Sequence, residues 1–241
     1  MTGSPLATAG PQETTMDVRM IWFDFGGVLG PSPKDLFTAY HRKTGITAEQ
    51  LAVALGEVSE ELGRPALAAL ELCAISEPDW GRLLGAALTG AGVDLSRARP
   101  EEFGRQWFEG THANAPMLRA VRYVRDAGHR VGVLSNNVRE WQPYWRRMIE
   151  PAGEFDRIVD SSEIGVRKPD PRILRIAEAA AGAAAAECVL VDDLAENCAA
   201  ATAAGWRAVG FGTTRQCLTD LGAALDLPGM AAACLGDPAT G

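Results

Sequence analysis

Apolar positions along the chain fall into short continuous runs separated by helix-length stretches in which they recur every three or four residues. Five runs read as strands: Val18 to Phe23, Arg130 to Leu134, Arg157 to Asp160, Cys188 to Val191 and Trp206 to Phe211. Between most of them the spacing predicts helices, at Pro116 to Ala127, Pro171 to Ala181 and Ala195 to Ala204, the first two opening on proline and all three closing before a glycine. Strands alternating with helices of this kind predict an α/β fold, a doubly wound parallel sheet covered on both faces.

Roughly a hundred residues separate the first two strands, far more than one crossover helix needs. Within them Asp35 to Lys43, Ala48 to Leu62, Pro65 to Cys73, Pro78 to Leu88 and Pro100 to Gly110 carry helical spacing, and no strand pattern stands among them. This predicts a helical cap inserted at 35–112 into a core made of 17–34 and 113–227. The small, polar, Pro- and Gly-punctuated residues 1–16 read as a disordered tail, and the Pro/Gly/Ala-rich 228–241 as a loose one.

In an open parallel sheet, ligands bind outside the carboxyl ends of the strands. Four polar groups are expected there. Asp24 ends the first apolar run and is followed by Gly26 and Gly27 after one phenylalanine. Ser135, Asn136 and Asn137 end VGVLSNN. Lys168 sits among prolines in GVRKPDP, and Asp192 and Asp193 follow the apolar start of VLVDDLAEN, with Asn197 one helical turn further on. An aspartate, a hydroxyl, a lysine and an acidic pair suit Mg²⁺-assisted phosphoryl transfer through a covalent aspartyl-phosphate. In that chemistry Asp24 is the nucleophile, and Asp24, Asp192, Asp193 and the Gly26 carbonyl hold the cation. Ser135, Asn136 and Gly27 border the phosphoryl group, and Lys168 neutralises developing charge. Asn197 orients Asp193 or the lysine. Acid residues ahead of a helix also serve simply as caps, and both roles fit the pair at 192 and 193.

These segments resemble the motifs of the haloacid dehalogenase-like hydrolase superfamily, in order FDFGGVL, LSN, the lysine of GVRKPDP, and VDDLAEN. The resemblance covers about residues 18–215. It implies a Rossmann-like core with a helical cap, Mg²⁺ as cofactor and a small phosphorylated or diphosphorylated substrate. The phrases DSSEIGVRKPDPRI and VLVDDLAENCAAATAAGW are similar to the branch with sugar-phosphate phosphatases and the amino-terminal phosphatase domain of soluble epoxide hydrolases. One departure stands out. Most phosphatases of the superfamily carry a second aspartate, the general acid-base, two residues after the nucleophile, and here that position is Gly26. A substrate with a good leaving group, or one that brings its own acid, is therefore expected. A haloacid dehalogenase is a second reading, for which the acidic pair is superfluous. A non-hydrolytic phosphate-binding or biosynthetic protein is a third.

Composition narrows the choices further. A net charge of -8 among 241 residues argues against a nucleic-acid backbone as partner, though not against a small anion met by one placed cation. Five cysteines without a CxxC pair, together with only three histidines, suggest reduced thiols and no zinc cluster. No apolar run is long enough to span a membrane, so a cytoplasmic protein, monomeric or homodimeric, is expected. Trp80, Trp107 and Phe108 read as cap core, and His112 as a solvated loop residue. Arg139 and Trp141 follow LSNN closely enough to reach a substrate.

Overall fold

A computed structural model describes residues 18–236. Residues 1–16, read above as a tail, lie outside the described residues. Five strands form one sheet: β1 (Met20–Phe23), β2 (Arg130–Ser135), β3 (Arg157–Asp160), β4 (Cys188–Asp192) and β5 (Arg207–Gly210). Their order is β3-β2-β1-β4-β5 and every pairing is parallel. β1 is central, with Phe23 opposite Val133 on one side and Val191 on the other.

Side chains of a strand alternate between faces, so β1 divides its four buried residues between two cores. Ile21 and Phe23 join the larger one with Val131, Val133, Val189 and Val191. That face is covered by α6 (Ala115–Asp126), α7 (Gln142–Ile149), α11 (Thr214–Ala224) and α12 (Met230–Leu235). Met20 and Trp22 join Leu134 and Leu190 on the other face, under α9 (Pro171–Ala181) and α10 (Ala195–Ala203). Trp22 stacks on Trp206 there, with ring centroids 6.4 Å apart. Gly132 lets it lie flat, since a Cβ at that position would come within 2.7 Å of the Trp22 ring.

Between β1 and α6 the chain builds α1 (Pro33–Thr44), α2 (Ala48–Leu62), α3 (Ala66–Glu71), α4 (Glu77–Gly90) and α5 (Phe103–Phe108). Their boundaries follow from local chemistry. Ser32 caps α1 with Pro33 at its first position, and Gly45, at φ +83°, ends it. Thr47 and Gln50 form a reciprocal capping box on α2. The helical module has no separate core of its own, because Tyr40, Leu51, Trp80 and Phe103 are continuous with the larger core of the sheet. Phe25, just past β1, packs on Phe108 of α5 and Trp145 of α7.

The last of the described residues differ from expectation, while 237–241 lie outside them. Residues 230–235, read above as part of a loose tail, form α12, which buries Met230 and Cys234 against the larger core. The Arg119 guanidinium fixes it by donating to the Cys234 carbonyl at 2.6 Å. Composition points to a tail there, yet two buried side chains and one satisfied carbonyl suffice to dock a short helix. Among the described residues no helix is long and apolar enough to cross a membrane.

Candidate active site

Parallel pairing brings the carboxyl ends of β1, β2 and β4 level with one another. The Asp24 N–H donates to the Val191 carbonyl at 2.9 Å, carrying the ladder one residue beyond β1 and fixing Asp24 beside the end of β4. Ser135 and Asp192 are the last residues of β2 and β4. Lys168 reaches the same point from the loop between α8 (Ser161–Ile164) and α9. Its ammonium lies 3.0 Å from Asp24 Oδ1 and 2.5 Å from Asp192 Oδ2, and donates to the Leu134 carbonyl at 2.7 Å. Lys168 is 2% exposed and Asp192 fully buried, so this is a buried charge cluster whose members need one another.

The cluster is unbalanced. One carboxylate oxygen or more from each of Asp24, Asp192 and Asp193 lies within 4.8 Å of the others, and Lys168 is the one cation among them. Burial pushes the Asp24 carboxyl up, Lys168 opposes that, and Asp192 and Asp193 add to it, leaving its pKa at about 7. Asp193 is raised by burial and then by Asp192. Burial pulls the Lys168 ammonium down, but Asp24 and Asp192 outweigh it and the net shift is upward. Three carboxylates facing one ammonium are the donor set a hard divalent cation satisfies.

Asp192 is the most heavily engaged of the three. Oδ1 accepts from the Leu194 N–H and the Asn197 amide, each at 2.9 Å, while Oδ2 accepts from Lys168. Its first duty is thus to hold Lys168. Asn197 orients Asp192, rather than Asp193 or the lysine directly as the sequence suggested. Asn136 also differs from its reading as a substrate contact. Its Oδ1 accepts from the Lys168 N–H at 2.7 Å and its Nδ2 donates to the Lys168 carbonyl at 3.0 Å, so the side-chain amide is a clamp on the lysine backbone. Ser135 Oγ is buried with no hydrogen-bond partner. A buried hydroxyl left orphaned is costly unless something else satisfies it.

The two glycines after the nucleophile have different reasons to be there. Gly27 stands at φ +69°, and a Cβ on it would lie 2.4 Å from Asp193 Oδ2, so no other residue fits beside that carboxylate. Gly26 has φ -61° and ψ 127°, which any residue adopts, and its Cβ would meet only Asp24 Oδ2, at 3.7 Å. It is also exposed. A backbone requirement for glycine therefore applies to Gly27 alone.

A cavity of about 470 Å³ opens at Gly27, bounded by the two connections between the helical module and the core and by the loop after β5. Ser32, Asp35, His112, Asn114, Thr213 and Thr214 supply its polar lining, and no lysine or arginine lines it. His112 is exposed there. Trp80, Trp107 and Phe108 belong to an aromatic cluster around Phe103 and Trp141. Arg139 donates to the Ser162 carbonyl at 3.0 Å, and Trp141 Nε1 donates to Glu77 at 2.7 Å, so both are spent on internal contacts.

Sequence reasoning missed two carboxylates that join the helical module to the core. Glu77 is 7% exposed and its Oε1 accepts from the Gly104 N–H and from Trp141 Nε1. Glu71 pairs with Arg167. Nothing in the local sequence marks a buried acid at the start or end of a helix. The one available signal was the arginine directly before Lys168.

Known proteins resemble this chain at several levels. It is 24% identical over 234 residues to acyl-CoA dehydrogenase family member 10 of Mus musculus, which covers 87% of this chain and 19% of that protein. It is 34% identical over 117 residues to a phosphatase of Mycobacterium tuberculosis, covering 44% of this chain and 53% of that protein. The chain thus spans about a fifth and about half of the length of these relatives. Among solved structures, a HAD family enzyme from Bacteroides thetaiotaomicron in complex with magnesium and inorganic phosphate superposes with a TM-score of 0.59, at 16% identity, over 80% of this chain and 93% of that one. The L-2-haloacid dehalogenase of Xanthobacter autotrophicus with chloropropionic acid covalently bound superposes with a TM-score of 0.61, at 13% identity, over 90% and 86%. These superpositions show a shared fold. The family model for haloacid dehalogenase-like hydrolases matches residues 18–205, from β1 through β4 with the inserted helices between, and the chain belongs to that family.

Proposed function

We propose that this protein is a Mg²⁺-dependent phosphatase acting on a small phosphorylated metabolite through an aspartyl-phosphate on Asp24. The observation that carries the reading is the buried meeting of Asp24 and Asp192 on Lys168, with half-buried Asp193 converging on the same carboxylates and an orphaned Ser135 hydroxyl nearby. Asp24 and Asp193 would hold the cation, with the Gly26 carbonyl beside them, while Asp192 chiefly anchors Lys168. When bound, Mg²⁺ supplies charge neutralisation for the carboxylates and the phosphoryl oxygens.

An Asp24 carboxylate oxygen attacks phosphorus, forming the Asp24 O–P bond as the bond to the leaving oxygen breaks. That oxygen takes a proton from water or from the substrate itself. Lys168 holds Asp24 in place and offsets the developing charge. Ser135 Oγ donates to a phosphoryl oxygen and thereby gains the partner it lacks. Water then attacks the same phosphorus, the Asp24 O–P bond breaks, and inorganic phosphate leaves with the carboxylate restored.

The cavity at Gly27 favours one kind of leaving group. Hydroxyls, an amide, an imidazole and a carboxylate line it and no lysine or arginine does, so a polyhydroxylated monophosphate such as a sugar phosphate suits it better than a diphosphate. The haloacid dehalogenase reading draws support from the fold neighbours. It needs no divalent cation, and it leaves three converging carboxylates without a role.

Phosphate release from sugar 1-phosphates, sugar 6-phosphates, nucleotides, acyl phosphates and diphosphates, with and without Mg²⁺, tests the proposal. Metal-dependent turnover is expected, abolished by Asp24→Asn. Release of halide from 2-haloacids without metal would replace this reading with the dehalogenase one. Mg²⁺ binding without turnover on any compound would leave a phosphate receptor.

A further inference from the structure

The loop carrying Lys168 is held from three sides. Its ammonium faces Asp24, Asp192 and the Leu134 carbonyl, and its backbone is clamped by Asn136. The third hold comes from the inserted helices. Arg167 Nε lies 2.6 Å from Glu71 Oε2, with side chains only 29% and 15% exposed. Glu71 is the last residue of α3, and its carbonyl accepts from Ser161 Oγ at 2.9 Å. Two residues on, Cys73 Sγ contacts the Ser162 carbonyl at 3.3 Å. The end of α3 therefore touches both the Lys168 loop and the helix that leads into it.

We propose that Glu71 is a positioning residue for Lys168, acting through Arg167, so that the lysine is fully placed only when the helical module is seated on the core. The kinetic side of this inference rests on the phosphatase reading; its structural side rests on the contacts alone.

Adjacent Cα atoms are 3.8 Å apart across a trans peptide, so a shift of Arg167 passes directly to Lys168. Misplacement of a charge-stabilising group by about 1 Å can cost on the order of 10²-fold in rate. Exposed ion pairs contribute little to stability; this one is mostly shielded and joins two modules that come from distant parts of the chain. Burial raises the Glu71 carboxyl, Arg167 opposes that most strongly, and Lys168 opposes it as well, which places Glu71 within the field of the lysine.

Glu71→Gln, Arg167→Gln and the double variant separate positioning from a general structural role. With p-nitrophenyl phosphate and Mg²⁺, each single variant is expected to lower kcat by about 10-fold or more with KM changed far less, as expected for loss of geometry in the transition state. The double variant is expected to be no worse than the poorer single one, because the two residues act as a unit. In parallel, hydrogen exchange read by mass spectrometry in the full chain should quicken over 165–170 in Glu71→Gln while β1 and β4 stay protected. Exchange over 165–170 matching the native chain would overturn the inference, as would an unchanged kcat or a pure rise in KM. Native protein without turnover, combined with faster exchange in Glu71→Gln, would overturn the phosphatase reading and leave the positioning contact standing.

Discussion

Gly26→Asp is expected to convert a phosphatase selective for good leaving groups into one that also cleaves simple alkyl esters. The backbone at Gly26, φ -61° and ψ 127°, accepts an aspartate without strain, and the new Cβ would sit in ordinary contact with Asp24 Oδ2 at 3.7 Å. The position is exposed, so the stability change should stay within about 0.5 kcal/mol apart from repulsion by Asp24. That repulsion helps catalysis, since a second carboxyl beside a buried acidic cluster is pushed toward the protonated form a general acid needs. A positioned general acid is worth about 10²- to 10⁴-fold, or roughly 3 to 5 kcal/mol of barrier. The assay is kcat/KM for a glycerol phosphate beside acetyl phosphate, in native protein, Gly26→Ala and Gly26→Asp. The ratio of the two substrates should shift toward the alkyl ester in Gly26→Asp alone, because acetyl phosphate needs no protonation to leave. An unshifted ratio in a folded, Mg²⁺-binding variant would refute the reasoning. So would native protein that already cleaves both substrates equally well.

Two further expectations follow from buried carboxylates. Because Asp24 is raised to about 7, it is partly protonated near neutrality, and Mg²⁺ must displace that proton; titration calorimetry in buffers of differing ionisation enthalpy should show proton release and affinity that falls as pH drops from about 8 to 6. Glu77 is also raised, by burial first, so the folded state holds its proton more tightly than the unfolded state and its contribution to stability declines as pH rises through the folded pKa. Glu77→Gln keeps the Oε1 acceptor for Gly104 and Trp141 and should match or exceed native Tm at pH 7, the gain shrinking toward pH 4. Glu77→Ala orphans two buried N–H donors and should cost about 2 kcal/mol or more, seen as a Tm lower by roughly 4 °C or more.

Periodicity made the architecture legible, since strands end where apolar runs end. The helix at Ala48–Leu62, the helix at Pro171–Ala181 and the strand at Arg157–Asp160 lie where the sequence puts them, each bounded by capping or turn residues acting over a few positions. Asp24, Ser135, Asp192 and Asp193 were legible as a group because strand ends in a parallel sheet must converge, whereas Lys168, on the loop between α8 and α9, was legible only from its place in GVRKPDP. Side-chain amides were harder. Asn136 looks available for a ligand until the fold brings the Lys168 peptide, 32 residues away, against it. Asn197 likewise serves Asp192 for reasons of register between β4 and α10. Gly26 and Gly27 are adjacent and identical, yet only the structure shows a carboxylate pressed against the second and no more than an ordinary contact with Asp24 beside the first. Glu71 and Glu77 look like surface acids, and only their long-range partners make them otherwise.

The central place of β1 has a consequence for how the protein is made. Met20 pairs with Arg130 on one side and with Cys188 on the other, so β1, the earliest strand of this sheet in chain order, finds both of its partners only far along the chain. Its four residues are all fully buried in the finished sheet, and during synthesis they form an apolar segment with both edges unpaired. Long-range pairing of this kind slows folding and leaves such edges open to misassociation. The inserted helices can form from local contacts in the interval, whereas the aspartate that directly follows β1 meets its lysine and its acidic partners only when the last third of the chain arrives. Completion of the site is therefore a late event in biogenesis, and a chain truncated before β4 would carry the nucleophile without its acidic partners or the strand edge that fixes it.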